Sequence, residues 1–71
     1  MISYDNLWKV MKKRGISQYT LIKNYHISAG QLTRLRRNES VSTHTIEAFC
    51  KILSCQPGDL MEYIPDEDQT P

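Results

Sequence analysis

The polar side chains between residues 31 and 37 are the groups in this 71-residue chain best suited to chemistry. They comprise an amide, a hydroxyl and three guanidinium groups, on Gln31, Thr33, Arg34, Arg36 and Arg37. On a helix, Leu32 and Leu35 between them would face a core and leave these polar groups outside. A helix surface with such donors and positive charge suits the groove and phosphates of DNA.

Two short helices joined by a tight corner are predicted to position these groups. Ser17 has the type and place of an N-cap for the first of them. The corner falls at His26 and Ile27. Ser28 is the predicted N-cap of the second helix, which runs from Ala29 to Arg37.

A helix before this pair is predicted from its capping residues. Asp5 or Ser3 can cap its start, and it runs to about Arg14. Gly15 suits the left-handed position that commonly follows a helix.

Two more helices are predicted after the pair. Ser42 or Thr43 caps the longer one, whose buried face consists of Ile46, Phe49, Cys50 and Leu53. Residues 56–59 begin a last short helix with proline at its first position. The whole pattern predicts an all-α, compact bundle of about five short helices in one domain.

Charge is distributed unevenly along the chain although the formal net charge is only +1. Between Asn6 and Asn38 there are eight bases and no acid. The rest of the chain has one base, Lys51, against eight acids. The basic half contains the predicted helix pair, as expected if that half meets a polyanion.

The residue types present exclude several classes of function. There is no phosphate-binding loop, catalytic triad or cluster of metal ligands, so we expect no catalytic residue, no metal and no cofactor. Cys50 is interpreted as a small buried thiol. No apolar run approaches the roughly 18 residues of a membrane span, and no signal segment follows Met1. These features predict a cytoplasmic protein with no membrane partner.

The order of the motifs resembles a known family. The pattern S-Q-x-x-L from Ser17, then hydrophobic-Ser, then x-x-x-L-T-R-L-x-x-N ending at Asn38 is similar to the helix-turn-helix of Cro/C1-type (XRE-like) bacterial and phage transcriptional regulators. The segment T-I-E-A-F-C-K-I-L-S-C-Q-P-G-D-L, residues 45–60, resembles the family's fourth helix and the element after it. The resemblance covers roughly residues 5 to 64 and implies a lambda repressor-like DNA-binding domain.

The resemblance also implies roles for individual residues. DNA bases would be read by Ala29, Gly30, Gln31, Thr33 and Arg34. DNA phosphates would be bound by Ser17, Gln18, Ser28, Arg36, Arg37, Asn38 and His44.

The sequence departs from the family pattern at four positions, one of which is Cys50, where the family usually has alanine. His26 occupies a corner position usually held by glycine, and histidine tolerates the left-handed backbone that this corner requires. Ile22 replaces a small alanine, so we expect it to push the two helices apart unless smaller neighbours make room. Arg36 stands where the family often has glutamate.

These observations predict a sequence-specific regulator of transcription that binds double-stranded DNA, most simply a repressor. Residues 1–64 would form the DNA-binding domain and residues 65–71 an acidic, disordered tail. A homodimer is expected, with its surface formed by Leu60, Met61, Tyr63 and Ile64. Two alternatives stay open: an antitoxin-like or phage-type regulator that acts mainly through a protein partner, and an interaction module on the same fold that does not read DNA.

Overall fold

Four α-helices carry most of the fold in the computed structural model, which describes residues 1–65. In chain order the elements are β1 (Ile2–Ser3), α1 (Asp5–Arg14), α2 (Gln18–Tyr25), α3 (Ala29–Arg36), α4 (Thr43–Leu53), a 3₁₀ turn (Pro57–Asp59) and β2 (Glu62–Tyr63). The helical bundle is confirmed. The predicted fifth helix is a single 3₁₀ turn, and the short strands were not predicted.

Serine side chains begin three of the helices, as predicted. The hydroxyls of Ser17, Ser28 and Ser42 each accept a hydrogen bond from the backbone N–H three residues later. The prediction for α1 was wrong, because Tyr4 occupies the N-cap position and offers no side-chain cap. Ser3 instead accepts a hydrogen bond from the backbone N–H of Asp5.

Residues in the left-handed backbone region end or follow every helix. Gly15 has a φ of 70°, His26 of 57°, Asn38 of 56° and Ser54 of 52°. The left-handed corner predicted at His26 is therefore confirmed, and Asn38 provides the left-handed turn after α3. Helix α3 ends at Arg36, one residue earlier than predicted, with Arg37 as its C-cap.

A single apolar cluster holds the helices together. It includes the predicted inward residues Leu32 and Leu35 of α3 and Phe49 of α4. Leu60 also belongs to this core, with an exposed fraction of 1%. The prediction that Leu60 lies on a dimer surface was therefore wrong, because the last turn closes the core with it. Cys50 is half-buried against the cluster.

The two short strands pair antiparallel. They bring the first residues of the chain next to the segment that follows the 3₁₀ turn. Ile2 pairs with Tyr63 and Ser3 with Glu62. The ammonium group of Met1 donates a hydrogen bond to the carbonyl oxygen of Ile64 at 2.7 Å. Pairs this short depend on the packing around them, since two strands alone are marginally stable in water.

The link between this small sheet and the rest of the fold runs through Asn38. Its Oδ1 accepts a hydrogen bond from the backbone N–H of Tyr4 at 2.9 Å. The residue that follows α3 is thereby tied to the residue that precedes α1.

The predicted acidic tail falls mostly on residues 66–71, which lie outside the described residues. The division into a domain of residues 1–64 and a tail of residues 65–71 stays a prediction. None of the helices in residues 1–65 is long and apolar enough to cross a membrane.

Candidate nucleic-acid interface

The outer face of α3 presents small residues and one unpartnered guanidinium group. Ala29, Gly30 and Arg34 are exposed, whereas Leu32 and Leu35 are buried. Within residues 1–65 the Arg34 side chain makes no hydrogen bond and no ion pair. A guanidinium group in this state is available to an outside acceptor.

Gln31 is engaged inside the protein instead of being free on this face. Its Oε1 accepts a hydrogen bond from the backbone N–H of Ser28 at 3.2 Å, which completes a capping box at the start of α3. Its Nε2 donates to Oγ1 of the buried Thr45 at 3.1 Å. Gln31 therefore fixes the first turn of α3 against α4. The spacing of a serine and a glutamine three residues later was a signal of this capping box in the sequence.

Thr33 is also occupied by contacts within its own helix. Its hydroxyl donates to the carbonyl oxygen of Ala29 at 3.0 Å and accepts from Nη2 of Arg36 at 3.3 Å. The side chain is half-buried. The Thr33 hydroxyl thus already has two partners, Ala29 and Arg36, within α3.

Arg36 joins the start of α2 to the last turn of α3. Its Nη1 donates a hydrogen bond to Oε1 of Gln18, across 18 residues of sequence. Both side chains are exposed. This contact brings together two residues that the sequence assigned separately to phosphates.

The start of α2 lies beside this pair. Ser17 accepts a hydrogen bond from the backbone N–H of Thr20 at 3.1 Å, and the two hydroxyl oxygens are 3.0 Å apart. The remaining backbone N–H groups of this first turn carry partial positive charge, which favours an anion.

Within residues 1–65 the other four phosphate candidates make no hydrogen bond or ion pair with Gln18 or Arg36, and one of them, Ser28, is the N-cap of α3. Arg37 is exposed and its Nη1 is 3.8 Å from a carboxylate oxygen of Glu39. His44, in the first turn of α4, is exposed with its Nδ1 3.9 Å from a carboxylate oxygen of Glu47. Asn38 is half-buried, and its oxygen is occupied by Tyr4. Asn38 therefore has a structural contact that the sequence did not indicate.

Ile22 is exposed on α2. Its exposed fraction is 44%, and the neighbouring Leu21 is the residue that enters the core. Ile22 is therefore not a core residue, and the expectation that it pushes the helices apart unless smaller neighbours make room stays a prediction. Tyr19 and Tyr25 are exposed on the same helix, and the Lys23 ammonium lies 5.5 Å from the centre of the Tyr19 ring.

The two thiols are free, and the surroundings of Cys55 make that thiol less reactive. Burial raises the pKa of the Cys55 thiol above its ordinary value, and the neighbouring Cys50 and Asp59 raise it further. A thiol with a raised pKa is protonated at neutral pH and so a poor nucleophile and metal ligand. Residues 1–65 contain no group of three or more potential metal-ligating side chains close enough to share an ion.

This helical fold, with two helices joined at a left-handed corner and a basic outer face, is that of a helix-turn-helix protein. Residues 6–66 match the Cro/C1-type helix-turn-helix DNA-binding domain family, and the chain belongs to that family. It is 37% identical over 65 residues to the uncharacterized HTH-type transcriptional regulator YozG of Bacillus subtilis (strain 168), which covers 89% of this chain and 77% of YozG. The fold matches the crystal structure of the transcriptional regulator VanUg with a TM-score of 0.82 and 32% sequence identity, over 92% of this chain and 87% of VanUg.

Proposed function

We propose that the protein binds a specific operator in double-stranded DNA, with α3 in the major groove, and represses transcription from it. The observation that carries this proposal is the outer face of α3, where the unpartnered Arg34 stands beside Ala29 and Gly30 while the opposite face is buried. A helix fits the major groove, where every base pair presents a distinct pattern of donors and acceptors. The bound protein then prevents other proteins from binding the same stretch of DNA.

Base reading is proposed for Ala29, Gly30, Gln31, Thr33 and Arg34, with unequal shares. Arg34 carries the largest share, through two hydrogen bonds to one guanine. Ala29 offers a methyl contact to thymine, and Gly30 permits close approach. Gln31 reads adenine only when its amide leaves Thr45, so its contribution is reduced by the hydrogen bond that it gives up.

Phosphate binding is proposed for a second set of residues, outside the five that are proposed to read bases. They are Ser17, Gln18, Ser28, Arg36, Arg37, Asn38 and His44. Gln18 and Arg36 are supported best, because they meet beside the first turn of α2. Asn38 has only its amide nitrogen left for a phosphate, since its oxygen accepts from Tyr4.

A homodimer on two inverted half-sites about one DNA turn apart completes the proposal. Met61, Tyr63 and Ile64 are the proposed contact, without the buried Leu60. Tyr63 supports this choice with an exposed fraction of 68%. A regulator acts where the chromosome is, so the proposed place of action is the cytoplasm.

The test is selection of bound sequences from a random duplex pool at one fixed, near-physiological salt concentration. We expect an inverted repeat to emerge. Arg34→Ala should relax one position in each half-site and cost about 1–3 kcal/mol of binding free energy. Lys51→Ala is the matched control, because it removes the same charge from α4 and should leave the motif unchanged.

Two results would contradict the proposal. The first is the same selected motif for wild type and Arg34→Ala. The second is the absence of any motif, with binding that disappears at modest salt, since this behaviour indicates only electrostatic attraction. A protein partner would then be the better hypothesis, and the exposed Tyr19, Ile22 and Tyr25 of α2 would be the surface to examine.

A further inference from the structure

We infer that Arg36 is a positioning residue, which holds the Gln18 side chain with its amide nitrogen toward the DNA backbone. Arg36 thereby links α2 to α3, so that the two helices contact the DNA backbone together. The inference rests on the proposed DNA binding but not on the proposed sequence specificity.

The orientation of Gln18 follows from the chemistry of its partner. A guanidinium group has five N–H donors and no acceptor. The Gln18 side chain can therefore meet Arg36 only with its oxygen, as it does in the contact from Nη1 of Arg36 to Oε1 of Gln18. The amide nitrogen is then directed away from Arg36 with both of its N–H groups available. A phosphate accepts hydrogen bonds and donates none, so this orientation is the productive one.

Arg36 is itself held in place by α3. Its Nη2 donates to the Thr33 hydroxyl at 3.3 Å. That hydroxyl donates its own hydrogen to the carbonyl oxygen of Ala29 at 3.0 Å, so that a lone pair is left for Arg36. These hydrogen bonds connect the backbone of α3, through Thr33 and Arg36, to the Gln18 side chain at the start of α2.

The charge of Arg36 is not neutralised by its contacts. Among residues 1–65, Gln18 and Thr33 are its side-chain partners, and both are uncharged. The adjacent Arg37 differs, because it lies 3.8 Å from the Glu39 carboxylate. Arg36 therefore positions Gln18 and also adds an unpaired positive charge beside it, a combination that suits a polyanion.

The test is a double-mutant cycle on DNA affinity with Gln18→Ala, Arg36→Ala and the two together. Binding is measured on the best selected duplex and on a scrambled duplex of the same length, at two salt concentrations. We expect each single change to weaken binding roughly tenfold on both duplexes. We expect the double variant to be within about twofold of Arg36→Ala, because Gln18 contributes little once Arg36 no longer orients it.

Two further variants separate positioning from charge. Arg36→Lys keeps the positive charge, so the salt dependence of binding should stay that of wild type, whereas Arg36→Ala should lower the slope by about 0.9. Arg36→Lys should nevertheless lose most of the coupling to Gln18, since an ammonium group lacks the planar fork. Arg37→Ala is the matched control, and its effect should be independent of Gln18. The melting temperature of all these surface variants should stay near that of wild type.

The outcomes distinguish the inference from the proposed function. If wild type selects a motif but the losses from Gln18→Ala and Arg36→Ala simply add, the inference is wrong and operator reading stands. If no motif emerges but the two residues are coupled on both duplexes, positioning stands and specific reading fails. If wild type binds neither duplex, both are overturned.

Discussion

Asn38 combines two structural contributions in one side chain. Its φ of 56° lies in the left-handed region, where asparagine is tolerated better than most residues. Its side-chain oxygen also accepts the hydrogen bond from the Tyr4 backbone N–H at 2.9 Å. The residue after α3 therefore turns the chain and ties down the segment before α1.

Two substitutions at this position separate the contributions. Asn38→Gly keeps the left-handed turn and removes the acceptor together with the rest of the side chain, so we expect the free energy of unfolding to fall by about 1 kcal/mol. Asn38→Ala also removes the acceptor but keeps a Cβ in the left-handed region, which glycine lacks, so it should cost about 1–2 kcal/mol more than Asn38→Gly. Urea unfolding measures both. Equal free energies of unfolding for the two variants would show that backbone strain contributes nothing. A free energy of unfolding for Asn38→Gly equal to that of wild type would show that the hydrogen bond to Tyr4 contributes nothing.

Gly30 gives a prediction in which stability and binding change in opposite directions. A Cβ added there would meet only the Ser28 Oγ, at an ordinary 3.9 Å. Gly30→Ala should therefore raise the free energy of unfolding by about 0.5–1 kcal/mol, because alanine favours a helix. It should also weaken operator binding several-fold, since the added methyl group occupies the face proposed to approach the bases.

Gly58→Ala is the control for this pair of measurements. Gly58 lies in the 3₁₀ turn, where an added Cβ would have no neighbour within 4 Å. This variant should bind DNA as wild type does. Unchanged binding by Gly30→Ala as well would remove Gly30 from the proposed interface.

For individual residues, the sequence predicted which candidate side chains are exposed better than it predicted which ones make contacts within the protein. Arg34 stands outside as predicted, because burial of Leu32 and Leu35 determines which face of α3 is outside. The contact between Gln31 and Thr45 joins residues on different helices, and so does the contact between Arg36 and Gln18. Helical periodicity shows which side a residue faces but not which side chain on another helix it will meet.

The serine caps carry a prediction about elements, and two of them form a matched pair. Ser28 begins α3 and Ser42 begins α4, each with its hydroxyl accepting a backbone N–H. Replacing either by alanine should lower the free energy of unfolding by about 1 kcal/mol. Only Ser28→Ala should also weaken DNA binding, measured where both variants are fully folded, because its helix is the one proposed to enter the groove. Equal loss of binding in the two variants would argue against that assignment.

The elements differ in how well the sequence predicted them. The three serine-capped helices could be placed because cap and apolar spacing agree. The strands could not, since Ile2–Ser3 and Glu62–Tyr63 are too short for an alternating pattern and pair across almost the entire described chain. The predicted fifth helix stops after one 3₁₀ turn because the chain must next extend to pair with β1.

At the scale of the whole molecule, the formal charge of the described residues differs from that of the full chain. Residues 1–65 contain nine bases and five acids, whereas the full chain contains nine bases and eight acids. The three other acids are Asp66, Glu67 and Asp68. They lower the long-range attraction between the protein and any polyanion, wherever they lie relative to the basic residues.

Removal of residues 66–71 should therefore strengthen DNA binding through charge alone. The formal net charge rises from +1 to +4, and we expect several-fold tighter binding to operator and scrambled duplexes alike at low salt. The gain should shrink as salt rises, since the Debye length falls to about 8 Å at physiological ionic strength. A full-length variant with Asp66→Asn, Glu67→Gln and Asp68→Asn isolates charge from length and should reproduce the gain. If truncation strengthens binding but this neutral variant does not, steric obstruction by the segment is the cause, and the charge argument fails.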